Sequence, residues 1–192
     1  MKPIDLDGFE KLFRASGDPW NYRSSRFEAI KRRHLIQACG SRKAGRALEV
    51  ACANGETSRA LLPHCLTLTA VDGAPTALAE ARRLTNPNLR IQYRYAVLPQ
   101  DTPRGPFDLI VVSEIAYYLS TRALNQLIKA LEHALAPGGR IVILHHLVPF
   151  DDAARLPELA HGKMRQAFSR SMIKVFMKRC SRYEVVAFVR RK

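Results

Sequence analysis

Short apolar runs and helix-period segments alternate along most of this chain, and few architectures accommodate that pattern. Residues 47–52, 66–71, 89–95, 107–113 and 140–145 read as buried strands, with 107–113 the most apolar. Residues 173–177 and 183–190 read as a closing pair of strands. Helices fit between them. Phe27, Ile30, Leu35, Ile36 and Cys39 roughly share one face of an N-terminal helix. A short or kinked helix follows the first strand, because Pro63 falls inside it. Pro75 suits a first helical residue, with Ala77, Leu78, Ala81 and Leu84 at helical spacing behind it. Ser120 or Thr121 suits a cap for the next helix, whose Leu124, Leu127, Ile128, Leu131 and Leu135 face the core. Pro137-Gly138-Gly139 is expected to stop that helix and turn the chain into the fifth strand. Strands alternating with helices build a mostly parallel sheet covered by helices.

The 192 residues are enough for one full hydrophobic core, and 47% of them are apolar, which excludes a disordered chain. Lysine and arginine number 31 against 17 acids, a formal charge of +14. The basic residues recur in 23–33, 42–46, 82–94, 163–170 and 178–192, so no single basic arm exists. That spread leaves open a solvated basic surface or an anionic partner. No run reaches the length of a membrane span: the richest, 109–119 and 141–148, are broken by Ser113, Glu114, His145 and His146. Acids stand near the start where a signal peptide has an apolar core, so a cytoplasmic location is expected. Cys39, Cys52, Cys65 and Cys180 form no C-x-x-C pair, and no histidines sit at zinc-finger spacing. Buried inert thiols and no metal are expected.

The sharpest local signal is Glu49-Val50-Ala51-Cys52-Ala53-Asn54-Gly55, a strand ending in small residues before a helix. Small residues let a ligand approach the backbone, and the helix start offers unpaired N–H groups. Asp72 ends the second strand, where a carboxylate can accept hydrogen bonds from both hydroxyls of a ribose. The pair implies a nucleoside-containing ligand. The G-x-G-x-x-G dinucleotide fingerprint is absent, and Glu49 suits a cationic, phosphate-free ligand better than a pyrophosphate. The competing reading pairs Glu49 with an arginine and leaves the alanines to packing.

These residues resemble the class I S-adenosylmethionine-dependent methyltransferases, whose first motif, acid-x-Gly-x-Gly-x-Gly, stands here as Glu49-x-Ala51-x-Ala53-x-Gly55. Residues 18–28 (Asp18-Pro19-Trp20-Asn21-Tyr22-Arg23-Ser24-Ser25-Arg26-Phe27-Glu28), residues 107–119 and Leu135-Ala136-Pro137-Gly138-Gly139 narrow the resemblance to the nodulation N-methyltransferase branch. That branch methylates the free amine of a chito-oligosaccharide. The similarity runs from Asp18 to His146 and weakens beyond. It implies an α/β, Rossmann-like, seven-stranded, mostly parallel sheet with helices on both faces and an antiparallel last strand. It also implies S-adenosyl-L-methionine as cofactor and S-adenosyl-L-homocysteine as product. Glu49, Ala51 and Gly55 match the cofactor loop, Asp72 and Gly73 the ribose site, and Ala96 and Val97 the adenine site. The family often has Asp where this chain has Ala96, so the resemblance leaves adenine recognition to backbone groups or to a neighbour such as Gln100 or Asp101. Ser113 would border the methionine part, and Trp20, Tyr22 and Ser25 match the segment closing over the site. One domain, 1–192, is expected: a cap segment (1–40), a cofactor core (45–148) and a substrate-side segment with the closing strands (149–192).

Methyl transfer from a sulfonium needs no metal and no nucleophilic side chain; it needs an in-line, neutral acceptor and a route for the acceptor's proton. Glu114, at the carboxyl end of the fourth strand, is the first catalytic candidate, to orient an amine N–H and stabilise the ammonium that forms. Tyr118 is a candidate for the site lining. His145 and His146 alternate across the fifth strand, so at most one of them is expected to face the cleft. The expected partner is a small-molecule acceptor, anionic or sugar-containing, methylated on nitrogen. An O-methyltransferase and a nucleic-acid methyltransferase remain alternatives. The run Ser113-Glu114-Ile115-Ala116 lacks the Asn/Asp-Pro-Pro-aromatic pattern of base-amine methyltransferases. A cofactor-binding module without catalysis is a third. The oligomeric state is not legible.

Overall fold

Both faces of the central strands are buried, and that fixes the architecture. The computed structural model describes residues 3–87 and 90–192. In chain order it contains α1 (Leu6–Ala15), α2 (Arg26–Cys39), β1 (Ala44–Val50), α3 (Glu56–Leu61), β2 (Cys65–Asp72), α4 (Pro75–Arg83) and β3 (Ile91–Tyr95). These are followed by β4 (Phe107–Ser113), α5 (Thr121–Ala134), β5 (Leu135–His146), α6 (Pro157–Ser171), β6 (Met172–Arg179) and β7 (Tyr183–Arg190). Leu48, Val50, Ile110, Val112, Ile141 and Ile143 point to one face, where Leu124, Leu127, Met164 and Phe168 of α5 and α6 cover them. Ala47, Leu109, Val111, Val142 and Leu144 point to the other, beneath Leu35 and Ala38 of α2. Side chains alternate with period two, so a strand covered on both faces must be apolar throughout, as 107–113 is.

The seven strands form one sheet in the order β3-β2-β1-β4-β5-β7-β6. β1 to β5 are parallel, and β7 runs antiparallel to both β5 and β6. The order reverses between β1 and β4, whose ends meet at Val50 and Val112. A parallel sheet opens a crevice at such a switch point, beyond the carboxyl ends of the strands.

Several local readings change. β1 stops at Val50 rather than Cys52, because Ala51 has φ 58° and leaves the ladder. α5 ends at Ala134 without help from Pro137-Gly138-Gly139. Leu135 is already extended (φ −80°, ψ 128°) and pairs with Phe107, so it belongs to β5. Pro137-Gly138-Gly139 kinks the strand from within: Gly138 takes φ 73°, and the register slips between Phe107 and Leu109. The start expected for the third strand, Leu89, lies outside the described residues. Pro63 does end α3 early, and residues 62–64 form a 3-10 turn. Ser120 caps α5 through the N–H of Ala123. α1 and α6 were not read from the sequence. The Asp5 carboxylate caps α1 by accepting from the Gly8 N–H at 2.9 Å.

Candidate active site

The carboxyl ends of the parallel strands open into a cavity of about 690 Å³, within the size range of small-molecule sites. The loop after β1 contributes Ala51 and Ala53, the end of β2 Asp72 with Gly73 just beyond it, and the segment after β3 Ala96 and Leu98. The exit of β4 supplies Ser113, Glu114, Tyr117 and Tyr118, and that of β5 His146 and Phe150. Leu6, Phe9 and Phe13 of α1 and Trp20 and Tyr22 roof it, while Glu28 and Lys31 enter from α2.

At one end, the Asp72 carboxylate accepts from the N–H of Ala53 (2.8 Å) and of Ala74 (2.9 Å), one on each oxygen. Each oxygen keeps a further lone pair, so the fixed carboxylate can still receive two vicinal hydroxyls. Burial pushes the Asp72 pKa up, and the backbone N–H groups oppose it. Ala51 and Ala53 adopt φ 58° and 49°, which costs an alanine roughly 1–2 kcal/mol each. The chain therefore adopts left-handed backbone at the two positions where the acid-x-Gly-x-Gly-x-Gly pattern has its first two glycines. A side chain on Gly73 would meet Leu6 of α1 at 2.6 Å, so α1 packs directly on this end.

Glu49 faces a second, smaller cavity of about 50 Å³ behind Ala51, shared with Asn54 and Ser113. Its Oε2 accepts from the Ser58 hydroxyl at 2.5 Å, so its hydrogen-bond partner is a serine and not an arginine. Its Oε1 is buried without a partner among the described residues, and so is Asn54 Oδ1. Desolvation pushes the Glu49 pKa up to about 8.

At the other end, Glu114 adopts φ 54° and is held by three donors. Lys31 donates to Oε1 at 2.6 Å; the Tyr117 hydroxyl and the His146 N–H donate to Oε2 at 2.5 and 2.8 Å. Burial alone would raise its pKa, but the charge of Lys31, with the hydrogen bonds from Lys31 and Tyr117, holds it at about 2. Lys31 also bridges to Glu28 at 2.8 Å. Burial pulls the His146 imidazole down; the Glu114 charge opposes this and Lys31 adds to it, so the ring is neutral at pH 7. Tyr118 packs edge-on against Phe9, with ring centroids 4.8 Å apart.

Besides Glu49, six expected residues lie outside this lining. Ser25 caps α2, accepting from the Glu28 N–H at 3.3 Å, and does not line the cavity. Gly55 begins α3 with φ 76°, where a Cβ would meet the Tyr93 hydroxyl at 2.6 Å; it shapes the loop from outside. The Val97 N–H is taken by Asp101 Oδ2 at 2.9 Å, and neither Gln100 nor Asp101 reaches the lining. His145 points to the opposite face of β5 and is fully buried there. Sequence reasoning missed Lys31, Glu28 and the three apolar residues of α1. Lys31 was detectable: it sits four residues from both Phe27 and Leu35, a lysine on the apolar face of its helix.

Among the described residues the cavity holds five carboxylates (Asp5, Glu28, Asp72, Glu114, Asp152) against one lysine. It offers a diol acceptor, small residues and unpartnered acceptor atoms behind Ala51, and no group of arginines for a phosphate. Those features fit a cationic nucleoside such as S-adenosylmethionine.

A 3-2-1-4-5-7-6 sheet with this crevice defines the fold of the class I S-adenosylmethionine-dependent methyltransferases. Within that class the chain belongs to the Nodulation protein S (NodS) family, whose model matches residues 7–145. It is 36% identical over 142 residues to Nodulation protein S of Rhizobium tropici, covering 71% of this chain and 59% of that protein. It is 34% identical over 130 residues to Nodulation protein S of Sinorhizobium fredii (strain NBRC 101917 / NGR234), covering 67% and 60%. The chain thus spans about three fifths of the length of these relatives. The N-methyltransferase NodS from Bradyrhizobium japonicum WM9, solved with S-adenosyl-L-homocysteine, shares the fold with a TM-score of 0.85 at 22% identity, over 98% of this chain and 100% of that one. A putative methyltransferase from Pseudomonas syringae aligns with a TM-score of 0.73 at 28% identity, over 86% and 100%.

Proposed function

We propose that this chain methylates the primary amine of a small molecule, an amino sugar being the best match, with S-adenosylmethionine as donor. The observation that carries the reading is one cavity with Asp72 at one end and the Lys31–Glu114 pair at the other, lined among the described residues by five carboxylates against one lysine. That lining suits a cationic donor and an acceptor that becomes an ammonium. It disfavours an anionic acceptor or a nucleic-acid phosphate, despite the formal charge of +14.

When bound, S-adenosylmethionine supplies a methyl group already activated on a sulfonium. Asp72 holds the ribose hydroxyls, Ala96 and Leu98 pack the base, and Ser113 borders the amino-acid portion. Phe9, Phe13 and Trp20 exclude water. Tyr118 and Phe150 offer ring faces to a sugar. Glu114 stays ionised with its pKa near 2, so it orients the amine and stabilises the ammonium without removing a proton. The neutral His146 imidazole takes the proton. In this reading residues 1–40 cap the site, 45–148 hold the cofactor and 149–192 complete the acceptor side. A cytoplasmic, reducing location belongs to the same reading, supported by four free cysteines and by the absence, among the described residues, of a helix long and apolar enough to cross a membrane.

The test is transfer of labelled methyl from S-adenosylmethionine to glucosamine and to chito-oligosaccharides with one free amine, beside their N-acetylated counterparts and an RNA pool. Label entering only the free amines is expected. Equal label in the acetylated sugars, or label confined to RNA, contradicts the assignment.

A further inference from the structure

Three buried titratable side chains beneath the site are unused by the chemistry above. His145, His161 and Glu184 are 0%, 2% and 1% exposed. They form one chain of hydrogen bonds. His145 Nε2 meets the backbone N–H of Ala116 at 3.2 Å, His145 Nδ1 meets His161 Nδ1 at 3.1 Å, and His161 Nε2 meets Glu184 Oε1 at 3.0 Å. A backbone N–H only donates, so His145 Nε2 accepts and the ring's proton sits on Nδ1. His161 Nδ1 must then accept, which places the His161 proton on Nε2, toward Glu184. Every atom in the chain has one role, and the direction is fixed. Glu184 stays a carboxylate, its pKa lowered first by the hydrogen bond from His161, with Arg165 and Arg179 also near. Those guanidinium groups lie 3.6 and 3.3 Å away. Burial keeps His145 neutral, its pKa down at about 3.

What the chain grips is the first residue of a 3-10 turn, residues 116–118. Tyr117 of that turn donates to Glu114, and Tyr118 lines the cavity. Glu114 just ahead of it holds a positive φ, which the backbone does not adopt without restraint. We propose that His145, His161 and Glu184 are a positioning relay that locks this turn, and through it Glu114 and Tyr118, in the arrangement the acceptor meets. The proposal rests on the assignment of Glu114 and Tyr118 to the acceptor side. It gives α6, which carries His161, and β7, which carries Glu184, a part in a site they do not line.

Two substitutions separate positioning from packing. His145→Gln puts an amide oxygen where Nε2 was and still accepts from Ala116; His145→Asn is one carbon too short. The ¹⁵N spectrum of the unsubstituted protein at pH 7 is expected to show neutral rings, Nδ1–H on His145 and Nε2–H on His161. His145→Asn should displace the amide resonances of residues 116–118 and lower kcat/KM for glucosamine roughly tenfold or more. Its affinity for S-adenosylhomocysteine should stay within about twofold. His145→Gln keeps the bond to Ala116 but gives up the one to His161, so it should recover the resonances and the rate only in part, to values between those of His145→Asn and the unsubstituted protein. A proton on His145 Nε2, or equal displacement of the turn by both variants, overturns the relay. Where His145→Asn does not fold, the ring tautomers of the unsubstituted protein and the His145→Gln spectrum decide. A protein that neither binds S-adenosylhomocysteine nor transfers methyl refutes the proposed function, while the tautomers and amide shifts still judge the relay.

Discussion

Glu114 owes its character to its neighbours. A carboxylate in this cavity would be protonated more readily than one in water, yet three donors keep it ionised with a pKa near 2. Glu114→Gln keeps the shape and loses the charge. We expect kcat to fall roughly tenfold or more, with S-adenosylhomocysteine affinity changed less than about twofold, as steady-state kinetics and calorimetry would show. Lys31 is the counter-charge for both Glu114 and Glu28. Lys31→Met leaves two half-buried carboxylates without a cation, and urea denaturation should register a loss of roughly 1–3 kcal/mol. The sequence placed Glu114 at its strand end, because strand ends are where such sheets keep their chemistry. It did not reveal the pairing with Lys31, since the two residues lie 83 positions apart and only the packing of α2 against the sheet joins them.

The secondary elements divide by how strongly local pattern decides them. The run 107–113 was legible because a strand buried on both faces leaves only apolar residues to choose from. α1 was not, because its stripe of Leu6, Phe9 and Phe13 is short and finds its partners on the roof of a cavity, not on the sheet. α6 buries Ala160, His161, Met164 and Phe168, and the histidine among them hid the apolar face. Pro137-Gly138-Gly139 misled for a related reason: it carries a turn signal, and sheet pairing with β4 overrode it. α1 is fastened to the rest through few groups. Glu10 accepts from the Thr76 N–H and hydroxyl at 3.0 and 2.5 Å, and Phe13 packs on Ala74 and Ala77. Phe13→Ala should therefore release α1 before the sheet. Hydrogen exchange is expected to quicken across residues 6–15 while the amides of β1 and β4 keep their protection. Uniform acceleration through the sheet would show that α1 and the core unfold as one.

Taken as a whole, the molecule is strongly basic outside and acidic within its crevice, so net charge misreports what the site prefers. The same interior sets a pH dependence. Glu49 has its folded pKa near 8 against an ordinary 4.5. Its contribution to stability is thus fully present below about pH 4.5 and is lost as pH rises through about 8. Glu49→Gln should remove that loss: urea midpoints measured between about pH 5 and 8 should fall more steeply for the natural chain than for the variant. Parallel slopes would show that Glu49 is ionised in the fold. The fold class was legible because alternating strands and helices admit few sheets. The Glu114 end of the cavity was not, since its lining comes from α1, α2 and the segment after β5, which meet only in three dimensions. The account stands most directly on the grip of Asp72. Isothermal calorimetry of S-adenosylhomocysteine should give one-to-one binding to the natural chain and roughly tenfold or weaker affinity for a folded Asp72→Asn variant. No heat from the natural chain, or equal affinity in the variant, would contradict it.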